Sequence, residues 1–179
     1  MPAQKSEHLV QFYDDEAELV PALVKYVGTA LNLGHDAIVI ARPGITGQVV
    51  TELRQQHLQR LSQARPRGRL TTLDAQATLK TFMVDGWPDP QAFERNVAPV
   101  VAKATSEGRS AVAYGEMVAL LCEQGQYAAA VRLEKVWNDL LGRLRFSLLC
   151  AYPMRLFTNM AGKGSYPHIC EAHERVIAA

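Results

Sequence analysis

Aromatic and charged side chains follow the short apolar runs of this sequence, and that placement suggests where its chemistry lies. In open parallel sheets, ligands sit beyond the carboxyl ends of the strands, where loops and helix N-termini converge. By that rule the candidates are Phe12, Tyr13 and Asp14 after the first run, Arg42 after the second and Asp74 after the third. Tyr114 and Glu116 follow the fourth run and Tyr152 the fifth. Carboxylates, a guanidinium and several rings would thus line one crevice suited to a small molecule. Asp14 and Asp74 also precede predicted helices, where aspartate commonly caps. Glu116 either supplies the negative charge favoured at a helix start or faces the crevice.

Glu134 falls mid-helix, one turn from Trp137 and amid Ala130, Leu133 and Leu140. Solvent exposure is the common fate of a helical glutamate. If it faces inward, it needs a cationic partner or a raised pKa. Cys170 and His173 are three apart on a predicted helix and would share a face, leaving Cys150, His168 or His8 to complete a metal site. A lone Cys-x-x-His is a weak metal signature, and cysteine is often buried for packing alone, so neither a metal nor a cofactor is expected. There is no Gly-x-Ser-x-Gly elbow, and no cysteine sits in a thiol-enzyme motif, so no enzymatic activity is expected. The Walker-type phosphate loop is also missing. Asp14-Asp15-Glu16-Ala17-Glu18 stands where it would be, and its charge would repel a triphosphate.

Short apolar runs alternating with segments of helical period predict an α/β fold, a mainly parallel sheet with helices on both faces. The predicted strands are His8–Tyr13, Asp36–Ala41, Arg69–Leu73, Ser110–Tyr114 and Phe146–Ala151. Asp15 and Glu18 open the first helix as a capping-box-like pair, and Gly34 ends it. Asp89-Pro90 starts a helix that runs to Gly108. Two more helices, Glu116–Glu123 and Tyr127–Leu141, flank the Gln124-Gly125-Gln126 turn, and a last helix begins near Pro167. Arg65–Gly68 reads as the richest loop.

The chain has 179 residues with 48% hydrophobic and 21% charged, enough apolar content for one folded domain spanning 1–179. A net charge of +1 argues against direct nucleic-acid binding. The basic cluster Arg54, Arg60, Arg65, Arg67 and Arg69 reads as a solvated helix end and loop. No apolar run approaches the roughly 20 residues needed to span a bilayer. Together with a polar start and three separated cysteines, this predicts a cytoplasmic protein with reduced thiols and no membrane contact.

Several stretches, taken together, resemble the MEDS family of sensory domains. They are His8-Leu-Val-Gln-Phe-Tyr13, Gly34-His-Asp-Ala-Ile-Val-Ile40, Phe82-Met83 with Gly86, Gly115-Glu-Met117 with Leu120-Leu121, Leu133-Glu-Lys-Val-Trp-Asn138, Leu148-Leu-Cys-Ala-Tyr152 and Ile169-Cys-Glu-Ala-His173. The resemblance implies a RecA/KaiC-like three-layer core with a degenerate nucleotide site. It also implies sensing of small molecules, proposed to be hydrocarbon derivatives, for transcriptional or phosphorelay control. It singles out His8, Tyr13, Glu116, Glu134, Trp137, Cys150, Tyr152, Cys170 and His173. No helix-turn-helix, kinase or receiver domain accompanies these stretches. Output is therefore expected through a separate histidine kinase or transcriptional regulator, or through homo-oligomerisation.

Three readings follow. The first is a sensor whose crevice of Tyr13, Arg42, Tyr114, Glu116 and Tyr152 takes an apolar or weakly polar ligand. The second is a degenerate nucleotide-binding protein or ATPase with Glu116 as base or metal ligand. The third is a ligand-free interaction module built on apolar helix faces.

Overall fold

The computed structural model describes residues 6–59 and 68–177. Six strands form one parallel sheet: β1 (His8–Tyr13), β2 (Asp36–Ala41), β3 (Leu70–Asp74), β6 (Ala111–Gly115), β7 (Phe146–Pro153) and β8 (Arg175–Ile177). Their order is β3-β2-β6-β7-β1-β8. The strands β4 (Met83–Val84) and β5 (Trp87–Pro88) pair separately as an antiparallel hairpin. Between the strands lie α1 (Glu16–Asn32), α2 (Pro43–Gln59), α3 (Ala75–Lys80), α4 (Pro90–Asn96), α5 (Ala98–Ala104), α6 (Met117–Glu123), α7 (Tyr127–Leu141) and α8 (Met160–Glu171).

Strand parity assigns each side chain to a layer. Val10, Phe12, Ile38, Ile40, Ala111, Ala113, Leu148, Cys150 and Tyr152 join the core under α3 to α8. Their neighbours Leu9, Tyr13, Ala37, Val39, Val112, Tyr114, Leu149 and Ala151 face α1 and α2. Both faces are therefore covered, which gives the three-layer α/β sandwich that the alternating apolar runs predict.

The differences from expectation have local causes. The helix predicted from Asp89 to Gly108 breaks at Val97 into α4 and α5, because Pro99 has no N–H to continue the ladder. α8 starts at Met160 with Asn159 as its cap, seven residues before Pro167, which the helix carries in its interior. α2 was not anticipated, since Ile45 and Val49 are its fully buried side chains among those described. β1 and β2 are parallel but not neighbours, with β6 and β7 lying between them. Arg60, Arg65, Arg67 and most of the predicted loop Arg65–Gly68 lie outside the described residues.

Arg69 is solvent-exposed, as its place in the basic cluster suggests, and it is also tied to the fold. Asp36, 4% exposed at the start of β2, accepts the Arg69 backbone N–H at 2.9 Å and its guanidinium at 2.8 and 3.1 Å. Burial opposes the Asp36 charge, but the Arg69 hydrogen bonds outweigh it and hold the carboxyl below its usual value. A depressed folded-state pKa contributes stability above the unfolded value of about 3.9, and that stability is lost as pH falls through the folded value. Asp36→Asn is therefore expected to be less stable than the parent protein at pH 7, with the gap closing below about pH 4. Urea unfolding of both proteins at the two pH values measures this, and a gap that does not change with pH refutes it.

Candidate functional site

The strand-end residues do not form one crevice. Phe12 and Tyr152 lie on the α7/α8 side, where their rings stand 6.0 Å apart, whereas Tyr13 and Tyr114 lie on the α1/α2 side. Their parity in β1, β6 and β7 separates them. Asp74 caps α3 through a 2.6 Å bond from Ala77 N–H. Asp15, not Asp14, caps α1, and the Asp14 N–H donates to Glu18 at 3.3 Å. Only two residues separate β1 from α1, so the helix N-terminus is closed by the chain's own carboxylates.

Arg42 closes the rim. The fully buried Glu116 accepts its backbone N–H at 2.6 Å, its Nε–H at 2.7 Å and approaches Nη2 at 2.7 Å. The same guanidinium reaches Glu16 at 3.0 Å and Glu123 at 3.8 Å, and Glu123 accepts from Arg155 at 2.9 Å. Burial opposes the Arg42 charge, but Glu116 more than offsets it and keeps the guanidinium firmly protonated. Beneath the rim, the hydroxyls of Tyr13 and Tyr114 have no hydrogen-bond partner among the described residues. Burial first, and the Glu116 charge second, push both phenols above their ordinary pKa.

A second polar centre lies inside the other layer. His8 on β1, Glu134 on α7, Cys150 on β7 and His173 just past α8 are all buried, and their ligand-type atoms lie within 4.8 Å of one another. Glu134 Oε2 is 3.3 Å from His8 Nε2 and accepts from the Cys150 thiol at 3.4 Å. Oε1 is 3.4 Å from His173 Nε2 and accepts from the Tyr152 hydroxyl. The two imidazoles lie 4.0 Å apart.

Outer partners fix both rings. The Ile169 carbonyl, which can only accept, lies 2.6 Å from His173 Nδ1, so that nitrogen carries a proton. Asn138 donates its amide to the Ala172 carbonyl at 2.9 Å, which turns its oxygen toward His8 Nδ1 at 2.8 Å and makes that nitrogen a donor too. Both Nε2 atoms therefore point inward. Burial would raise the Glu134 pKa, but the imidazoles, His173 foremost, hold the carboxyl well below its usual range. His173 is raised in turn, because the Glu134 carboxylate outweighs the burial that works against its charge. Burial and then Glu134 push the Cys150 thiol and the Tyr152 phenol up.

Glu134 thus faces inward and finds its cationic partner. Cys170 does not join the cluster. α8 ends at Glu171, so the three-residue spacing to His173 no longer puts both on one helix face, and Cys170 packs half-buried against the other core residues. His168 stays on the surface, 3.7 Å from Glu171. Trp137 is fully buried, edge-on to Phe93 at 4.8 Å, and its indole N–H has no hydrogen-bond partner among the described residues. Sequence reasoning missed Asn138, although its place four residues after Glu134 on α7 put it on the same helix face.

A groove of about 460 Å³ opens between the flank of α1 and the sheet, away from the strand ends. Ala22, Ala30, Val112, Leu149 and Ile177 give it an apolar wall, and Gln11, Glu18, Lys25, Thr29 and His35 are its polar groups. It was not anticipated, because nothing in the α1 sequence distinguishes a flank against the sheet from one left open.

No curated protein matches the sequence. A solved protein of Pyrococcus horikoshii OT3, described as a structural study of Project ID PH0250, is similar in fold at a TM-score of 0.50 and 10% identity. That likeness covers 97% of this chain and 81% of the other. The profile described as MEthanogen/methylotroph, DcmR Sensory domain matches residues 7–161, short of the Ile169–His173 stretch. With most of its length matched, the chain belongs to the MEDS family of sensory domains.

Proposed function

We propose that this sensory domain takes up a small apolar or weakly polar molecule, such as a hydrocarbon derivative, in the groove beside α1 and reports it to a separate kinase or transcriptional regulator. The observation that carries this reading is the groove itself. Its volume of about 460 Å³ and its mainly apolar wall, edged by the polar side chains Gln11, Glu18, Lys25, Thr29 and His35, suit a small ligand. The strand-end rim is less suitable, because Arg42 already occupies Glu116 there. A nucleotide is disfavoured by the short, self-capped connection between β1 and α1.

α1 links the groove to a surface. Its first residue, Glu16, bonds Arg42, and Arg42 joins Glu116 and Glu123 on α6 and its approach. A ligand that favours a shifted α1 would shift the population of this charged rim as well, changing the face offered to a partner.

Thermal unfolding against a panel of small halogenated and hydrocarbon compounds, with chelator present, tests the reading. Binding at about a hundred times the dissociation constant contributes roughly 2.7 kcal/mol, or a rise of about 5–10 °C for a domain of this size. Ala22→Trp, which fills the groove, is expected to remove the rise. Stabilisation by Mg-ATP alone, or a rise that survives Ala22→Trp, overturns it.

A further inference from the structure

We propose that His8, Glu134, Cys150 and His173 form a tetrahedral site for a zinc-class divalent ion. The site lies on the opposite side of the sheet from the groove and is independent of the sensing proposal. A tetrahedral ion with bonds of about 2.0–2.3 Å places its ligand atoms roughly 3.3–3.7 Å apart. His8 Nε2, Glu134 Oε2 and Cys150 Sγ form a triangle with sides of 3.3, 3.4 and 3.6 Å, the size of one tetrahedral face. His173 Nε2 lies 3.4 Å from the other oxygen of that carboxylate, Oε1, and the ligand-type atoms of all four residues fall within 4.8 Å of one another, which makes His173 the candidate for the fourth vertex.

The surrounding bonds are those of metal ligands. Each imidazole commits Nδ1 outward, His173 to the Ile169 carbonyl and His8 to Asn138, leaving both Nε2 lone pairs free to face one point. Tyr152 holds the other carboxylate oxygen. His173 Nε2 is buried with no hydrogen bond among the described residues. His8 Nε2 faces an acceptor oxygen at 3.3 Å with its own proton on the far side of the ring. Either a proton or a cation between them relieves that opposition, and the sulfur selects a borderline-soft metal over magnesium or calcium.

Charge favours the same occupant. A dication, one thiolate, one carboxylate and two neutral imidazoles sum to zero, which suits a centre closed to water. On binding, the Cys150 proton and the Nε2 proton of the imidazolium paired with Glu134 both leave to solvent, and the sulfur and the two Nε2 atoms donate their electron pairs to the metal. All four positions come from the protein, so the ion joins β1, β7, α7 and the end of α8 and has no open coordination position for a reactant.

Cobalt(II) added to the chelator-treated full chain is the direct test. One equivalent is expected to give the intense visible bands of tetrahedral cobalt and a near-ultraviolet thiolate-to-cobalt band. Cys150→Ser is expected to remove the thiolate band, whereas Cys170→Ser and Ala22→Trp leave the spectrum unchanged. Asn138→Leu, outside the ligand set, is expected to weaken binding about ten- to a hundredfold. Zinc in excess is expected to displace cobalt and raise the thermal midpoint by roughly 5–10 °C. The proposal is overturned if chain shown to be folded by circular dichroism gives no thiolate band, or if the band survives Cys150→Ser or is lost in Cys170→Ser. Unchanged affinity in Asn138→Leu removes His8 from the ligand set.

Discussion

Glu134→Ala is expected to lower the unfolding free energy of the chelator-treated protein by about 3–5 kcal/mol, enough to drop the thermal midpoint on the order of 10 °C. Glu134 is fully buried and its carboxylate faces His8, Cys150, Tyr152 and His173. Truncation removes the carboxylate that holds a proton on His173, so that buried ring must give up its charge, and it leaves the Tyr152 phenol without its acceptor. The breaking of a buried pair by removal of one partner is among the costliest single changes, because the remaining charge cannot return to water. Glu134→Gln keeps the shape and one acceptor oxygen, so its cost is expected to be smaller, about 1–3 kcal/mol. Urea unfolding at neutral pH separates the two. A loss below about 1 kcal/mol for Glu134→Ala sinks the account of the carboxylate as the hub of this cluster.

The parallel sheet was legible because each core strand is a continuous apolar run between turn residues, and burial on both faces demands such runs. Which residues would meet was less legible. Phe12 and Tyr13 are neighbours in sequence, yet alternation sends one toward α8 and the other toward α1. A reading that stops at "strand end" places both in one crevice, so the candidate site was drawn as a single rim. Arg42 and Glu116 do meet, but strand-end position alone announced neither the double engagement of Glu116 by the Arg42 backbone N–H and guanidinium nor the part taken by Glu16 and Glu123.

The buried cluster was missed as a unit for a different reason. Its members come from β1, α7, β7 and the end of α8, at least sixteen residues apart, so no local spacing announces it. The one local pair that did suggest metal chemistry, Cys170 with His173, depended on a helix continuing through His173. What sequence did hold was the conflict at Glu134, a charge inside an apolar helix face. That conflict implied a partner elsewhere in the chain, and two histidines and a tyrosine supply it.

Arg42→Ala is expected to cost about 2–4 kcal/mol, less than the full figure for a buried pair because the guanidinium is one-third exposed and water can enter the gap it leaves. Glu116, with no exposure, would keep only the backbone N–H of residue 42 as a donor among those it now has from Arg42. Glu16→Gln, which loosens only the exposed arm of the same network, is expected to cost no more than about 0.5 kcal/mol. A double-mutant cycle of Arg42→Ala with Glu116→Gln isolates the pair, and a coupling of about 1–3 kcal/mol is expected from urea unfolding. A coupling near zero would mean that the guanidinium spends its time in water. Glu116 would then be a buried carboxylate near the Tyr13 and Tyr114 hydroxyls, which have no partner among the described residues, and that is the geometry of a site waiting for a cationic or hydroxyl-bearing ligand rather than of a sealed rim.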